Sequence, residues 1–215
     1  MMDVYLTPAS HAEAELTEKR SRFISRVWPV QDEEEAKALI QETARQYHDA
    51  RHTCWCYMLH ESGTERYSDD GEPQGTAGQP MLEIFRRKGI ENYCCTVTRY
   101  FGGILLGTGG LVRAYSGAAA LALEAAGISE VRLWREIETE IAYSLIERAR
   151  AAAEELGGFV EHTDYSASVL MTVLVPDEKT DEFCTRIRDL SSGSAFCMSG
   201  GTRRLGAVRV PGKEA

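Results

Sequence analysis

The chain has 215 residues, 43% of them hydrophobic and 27% charged, with a formal net charge of −9. That length accommodates one large domain or two small ones, and it suffices to bury a sizeable core. The composition is that of a globular protein, and the acidic balance excludes a generally basic nucleic-acid coat protein while leaving room for a local basic surface.

In chain order, Ala12 to Leu16 and Phe23 to Val30 read as two strands around the polar turn at Lys19 to Ser21. Asp32 to Tyr47 reads as a helix, with Asp32 as its cap, acids in its first turn and an apolar stripe of Ala36, Leu39, Ile40 and Ala44. Thr53 to Leu59 is a strand rich in aromatic and sulfur side chains. A helix is expected over Ala77 to Lys88 with Met81, Leu82 and Phe85 facing the core. A strand follows over Tyr93 to Arg99, then an alanine-rich helix over Gly110 to Ala126 that stops at Gly127.

The later part alternates at Ile137, Thr139, Ile141 and Tyr143, which marks a strand. A helix over Leu145 to Leu156 ends at Gly157-Gly158. Phe159 to Tyr165 and Ala167 to Val175 are strands, Pro176-Asp177 opens a helix reaching Leu190, and Ala195 to Met198 closes as a strand. The order is β-α-β-β-α-β, the ferredoxin-like arrangement. The expected class is α+β with two domains, over residues 1–128 and 131–205, and a tail over 206–215 that frays from Pro211 to Ala215.

Charge is segregated. Arg86, Arg87, Lys88, Arg99 and Arg113 meet only Glu91 in their stretch, and Arg186, Arg188, Arg203, Arg204 and Arg209 gather near the C-terminus. Acids concentrate at Asp32 to Glu35 and Glu61 to Glu72. The N-terminus lacks a signal-peptide core and no stretch is apolar enough to span a membrane, so a cytoplasmic location is expected. None of the six cysteines forms a Cys-x-x-Cys pair, which points to reduced, mostly buried thiols. Cys54 and Cys56 fall on one strand face, Cys94 and Cys95 on opposite faces of another.

Two glycine-rich blocks carry the chemistry: Tyr67-Ser-Asp-Asp-Gly-Glu-Pro-Gln-Gly-Thr-Ala-Gly-Gln-Pro80, and Thr98-Arg-Tyr-Phe-Gly-Gly-Ile-Leu-Leu-Gly-Thr-Gly-Gly-Leu-Val-Arg-Ala-Tyr115. The second joins a strand to a helix N-terminus, where unpaired N–H groups and the dipole attract anions. Arg99 and Arg113 could add charge-assisted bonds, and Tyr100, Phe101 and Tyr115 could stack on bases. Gly102, Gly103, Gly107, Gly109 and Gly110 would let backbone approach a ligand; the alternative is a tight junction with its arginines in solvent. Neither a Walker loop nor a dinucleotide fingerprint is present.

The first block gathers Asp69, Asp70 and Glu72 beside Ser68 and Thr76. These carboxylates could brace a turn at Gly71, with Asp69 or Asp70 bonding to backbone or pairing with Arg99 or Arg113. Partner recognition and a divalent cation are the other readings, although the spacing is not that of a calcium loop. His52 could act as a general base or a ligand, with Asp70 as the other group able to move a proton, and no nucleophile elbow lies beside His52. No catalytic residue, metal or cofactor is assigned. The sheet edge of the second domain is a further surface for RNA or protein, without the aromatic pattern of sequence-specific RNA readers.

Both blocks, together with Lys19-Arg-Ser-Arg-Phe-Ile24 and Arg51-His-Thr-Cys-Trp55, resemble the IMPACT family, in its bacterial two-domain YigZ/YvyE-type branch. The resemblance covers the whole chain. It implies a first domain similar to the second domain of small-subunit ribosomal protein five, an α/β sandwich, and a second similar to the last domain of elongation factor G. It implies a non-enzymatic binding protein linked to translation, with RNA, the ribosome or a ribosome-associated partner as its target; the anionic ligand at the glycine loop is the reading of the residues themselves. Family-matched positions are His52, Asp69, Asp70, Glu72, Thr76, Arg99, Tyr100, Gly102, Gly103, Gly107, Gly109, Gly110, Arg113 and Tyr115. The competing readings are an enzyme acting on a phosphorylated or acidic small molecule, and a pure protein-interaction module. Oligomeric state is left open.

Overall fold

The computed structural model describes residues 4–209, with the backbone alone for 203–209. Its contacts divide the chain into two compact units, whose main spans are Tyr5–Glu130 and Val131–Gly206.

The first unit opens with a short strand, β1 (Tyr5–Pro8), bridged at Leu6 to Ile90. Next come β2 (Ala12–Glu18) and β3 (Ser21–Pro29), joined by a turn in which Lys19 and Arg20 both take positive φ. Helix α1 (Glu33–Gln46) starts where the sequence asks, since the Asp32 carboxylate accepts the Glu35 N–H at 2.8 Å. Strands β4 (His52–Leu59) and β5 (Thr64–Ser68), helix α2 (Gly78–Arg87), strand β6 (Tyr93–Tyr100) and helix α3 (Thr108–Ala126) complete the unit. The sheet runs β2-β3-β6-β4-β5, antiparallel at every pair.

Strand alternation sorts the side chains into two cores. Phe23, Val27, Cys54, Cys56, Cys95 and Val97 face α2 and α3, which contribute Met81, Phe85, Tyr115 and the alanines of α3. Tyr57, Leu59 and Cys94 face the other way, against Ala36 of α1. The cysteine faces are those expected from strand parity, and all six thiols are free.

The second unit contains β7 (Ile128–Ile141), α4 (Ile146–Glu155), β8 (Phe159–Tyr165), β9 (Val169–Pro176), α5 (Thr180–Leu190) and β10 (Cys197–Arg209). In the five-stranded sheet that contains β7, β10 pairs with β7, β7 with β9 and β9 with β8, the neighbours that a ferredoxin-like β-α-β-β-α-β chain requires. Ile137, Met171 and Val173 pack against Ala149, Ala153, Phe183 and Ile187 of the two helices. The class is therefore α+β in two units, each with its own core.

Several boundaries differ from the sequence reading. β1 and β5 are not among the elements expected from the sequence. β7 begins at Ile128, and Tyr143 lies in a short 3-10 turn rather than on the strand. α5 follows a separate 3-10 turn at Asp177–Lys179. β10 runs to Arg209, into the expected tail; residues 210–215 lie outside the described residues, as do the side chains of Arg203, Arg204 and Arg209. No helix among the described residues is long and apolar enough to cross a membrane.

Candidate functional site

The two glycine-rich blocks meet in the first unit. Arg99, the last residue but one of β6, lies on the same face as Cys95 and Val97, opposite Phe23 in the β3 register. A cation directed into that core requires a partner. Glu72 supplies it: Arg99 Nη1 donates to Glu72 Oε1 at 2.7 Å, with side-chain exposures of 8% and 4%. The Tyr115 hydroxyl of α3 donates to the same oxygen at 2.8 Å. Arg99 Nη2 reaches Ser21 Oγ at 3.4 Å, and the Gly102 N–H donates to that oxygen at 3.2 Å. The guanidinium also stands 5.5 Å from the ring centres of Phe23 and Phe101. One buried network thus ties the acidic block, the β2–β3 turn, β6 and α3 together.

The other acids are engaged separately. Asp69 accepts from the N–H groups of Gly75, Ala77 and Gly78 at 2.8, 3.0 and 2.9 Å, serving as the cap that the α2 N-terminus otherwise lacks. Asp70, at φ 42°, accepts the Thr53 N–H at 2.6 Å. His52 Nδ1 lies 2.6 Å from the Asp70 carbonyl oxygen, so that nitrogen carries the proton and donates. Thr76 is buried and donates to the Pro73 carbonyl at 2.6 Å. Turn bracing is what these side chains do, and the ion pair foreseen for Asp69 or Asp70 falls to Glu72. Among the described residues no group of three or more His, Cys, Asp or Glu side chains is placed to hold a metal.

Two expected roles are corrected by burial. Tyr115 cannot stack on a base, because its ring is fully buried and meets Phe23 edge-on at 5.1 Å. Burial pushes its phenol and the neighbouring Cys54 thiol well up, so both stay protonated. Arg99 is only 6% exposed and neutralised by Glu72, so it is not placed to meet an anion from solvent. Tyr100 is partly exposed, and its hydroxyl donates to Asp49 at 2.7 Å.

Above this brace runs the loop 101–107. Gly102 sits where a Cβ would come within 2.0 Å of the Arg20 carbonyl carbon, so only glycine lets the loop lie on the β2–β3 turn. Gly103 takes positive φ, and Gly107, at φ 70°, turns the chain into α3, whose first turn holds Gly109 and Gly110. Three apolar side chains of this loop reach solvent: Phe101 and Ile104, each 40% exposed, and Leu105, 83% exposed. Lys19, Arg20 and Arg113 are exposed beside the loop or at the start of α3 and have no ion-pair partner among the described residues. Arg113 folds back over Gly109.

The sequence reading made Arg113 and the glycines candidate site residues, but left Lys19, Arg20 and Ser21 as a turn and motif and gave Ile104 and Leu105 no role. The signal for Ser21 and Arg20 was the positive-φ turn facing a glycine pair, visible only once β3 and β6 are known to be neighbours. The second unit's sheet, the other RNA surface considered, sets Glu138 beside Thr172 and Glu140 beside Leu170, which faces Asp164. Those carboxylates repel phosphate.

The Impact N-terminal domain model matches residues 19–123, and a domain of unknown function, DUF1949, matches residues 139–194. The chain is 34% identical to the IMPACT family member YvyE of Bacillus subtilis, over 93% of each chain. It is 36% identical to the IMPACT family member YigZ of Escherichia coli, over 90% of this chain and 96% of that one. The crystal structure of a hypothetical protein superposes with a TM-score of 0.60 at 35% identity, covering 92% of this chain and 98% of the other.

Proposed function

We propose that this chain, which belongs to the IMPACT family, is a translation-linked binding protein that holds RNA or a ribosome-associated partner on its glycine/arginine loop. The observation that carries the reading is the loop 101–107: Leu105 and Ile104 stand in solvent, flanked by the unpaired Arg20 and Arg113, on a backbone pinned from below. Exposed apolar side chains set among uncompensated cations suit a surface that buries both on association. The N–H groups at the start of α3 add donors for a phosphate or carboxylate. The Glu72–Arg99–Tyr115 brace serves as positioning machinery, holding the loop rather than touching the partner. His52, with one ring nitrogen committed to the Asp70 carbonyl and no nucleophile assigned beside it, gives an enzymatic reading little to work with.

The test is co-purification. Wild type, Arg113→Ala and Leu105→Asp are isolated from cells at low salt, and bound RNA and ribosomes are measured. Both substitutions replace exposed side chains, so folding is retained. The reading predicts RNA or ribosomes on the wild type and a loss of about tenfold in each variant. Clean wild-type protein, or variants that retain the same cargo, would contradict it.

A further inference from the structure

Helices α2 and α3 enclose a groove of about 410 Å³ on the first unit. Its walls follow from helical spacing, because Pro80, Ile84 and Arg87 share one stripe of α2 while Val112 and Ser116 share one of α3. The floor is aliphatic: Pro80, Ile84 and Val112, each partly exposed. Ser116 returns its hydroxyl to the Val112 carbonyl at 2.7 Å and so offers the groove no free donor. Glu83, the acid on the rim, is bonded to Arg86, which also holds Glu65. Arg87 and Lys88 at the end of α2 are exposed and have no ion-pair partner among the described residues. The same is true of Arg113, which helical geometry places within about 60° of Ser116 around α3. In a chain of net charge −9, the uncompensated charges around this groove are all cationic.

We propose that the α2/α3 groove docks an acidic amphipathic segment of a protein partner. Its aliphatic side chains enter the Pro80–Ile84–Val112 floor, and its carboxylates meet Arg87, Lys88 and Arg113. The floor decides between a peptide and RNA. An aliphatic surface gains by burying aliphatic groups, whereas single-stranded nucleic acid is held by aromatic platforms, and no aromatic side chain lines the groove among the described residues. The groove is lined by no residue of the loop 101–107, and Arg113 alone is common to the two surfaces, so the groove proposal stands without the loop's function.

The test uses the full chain and two fluorescent helical peptides with leucine at i, i+4 and i+7. One peptide carries glutamate and the other lysine at its polar positions. Binding is read by anisotropy and by the methyl NMR signals of Ile84 and Val112. The glutamate peptide should saturate and move both signals, and the lysine peptide should not. Arg87→Glu should weaken the glutamate peptide about tenfold or more. Ser116→Trp, which fills the groove without changing its charge, should abolish the shift at Ile84; thermal melting verifies that each variant folds. The proposal is overturned if the glutamate peptide fails to bind, if the lysine peptide binds as well, or if both variants bind like wild type. It is equally overturned if polyuridylate moves the same two methyl signals. Loss of RNA on Leu105→Asp with peptide binding intact would separate this groove from the loop.

Discussion

Arg99 shows what a single residue's placement demands. Buried on the helix-covered face of β6, it is tolerable only because Glu72 and Ser21 receive it. Arg99→Ala would strand the Glu72 charge in the core, a loss of about 3–5 kcal/mol in urea unfolding. Tyr115→Phe removes one charge-assisted bond and should cost about 2 kcal/mol. A Tyr115→Phe protein as stable as wild type would show that the hydroxyl contributes nothing to the brace. Part of this was legible in the sequence. Cys95, Val97 and Arg99 share a strand parity, and two apolar members of that row imply that the third points inward too. The identity of its partner was not legible, since Asp69, Asp70 and Glu72 lie within four residues of one another and differ only in which way the turn at Gly71 aims them.

At the scale of elements, β4 and β6 place Cys54, Cys56 and Cys94 in the cores, where burial pushes the thiols above the ordinary 9.0. The Tyr57 phenol is pushed up to about 12, first by burial and then by its bond to Glu33. These groups keep their protons in the folded chain at pH values where the unfolded chain releases them. Above pH 9 the folded state therefore binds more protons, so stability is full below that pH and falls as pH rises toward about 12. The urea midpoint should be lower at about pH 10.5 than at about pH 8. A flat midpoint would mean that the thiols and Tyr57 reach solvent. Capped, periodic elements such as α1 and α3 were readable from sequence. β5 was not, because Thr64-Glu-Arg-Tyr-Ser68 is a polar edge strand without buried residues. The start of β7 was hidden for another reason: its first buried residues, Val131, Trp134 and Ile137, recur every three positions instead of two. β10 runs through Gly200-Gly201, which reads as a stop.

For the whole molecule, a net charge of −9 means that any polyanion is met by a few local cations against a repelling background. The loop offers Lys19, Arg20 and Arg113. If all of them neutralise phosphates of single-stranded RNA, the logarithm of the binding constant should fall against the logarithm of salt concentration with a slope of about −2. A steeper slope would require cations beyond this loop. The measurement that bears most directly on the loop as the binding surface is a salt titration of ribosome co-sedimentation, comparing wild type with a Lys19→Ala/Arg20→Ala/Arg113→Ala variant. The loop account predicts association at low salt that weakens with that slope, and almost none in the variant. Association that is unchanged in the variant, or absent from the wild type at low salt, would contradict it.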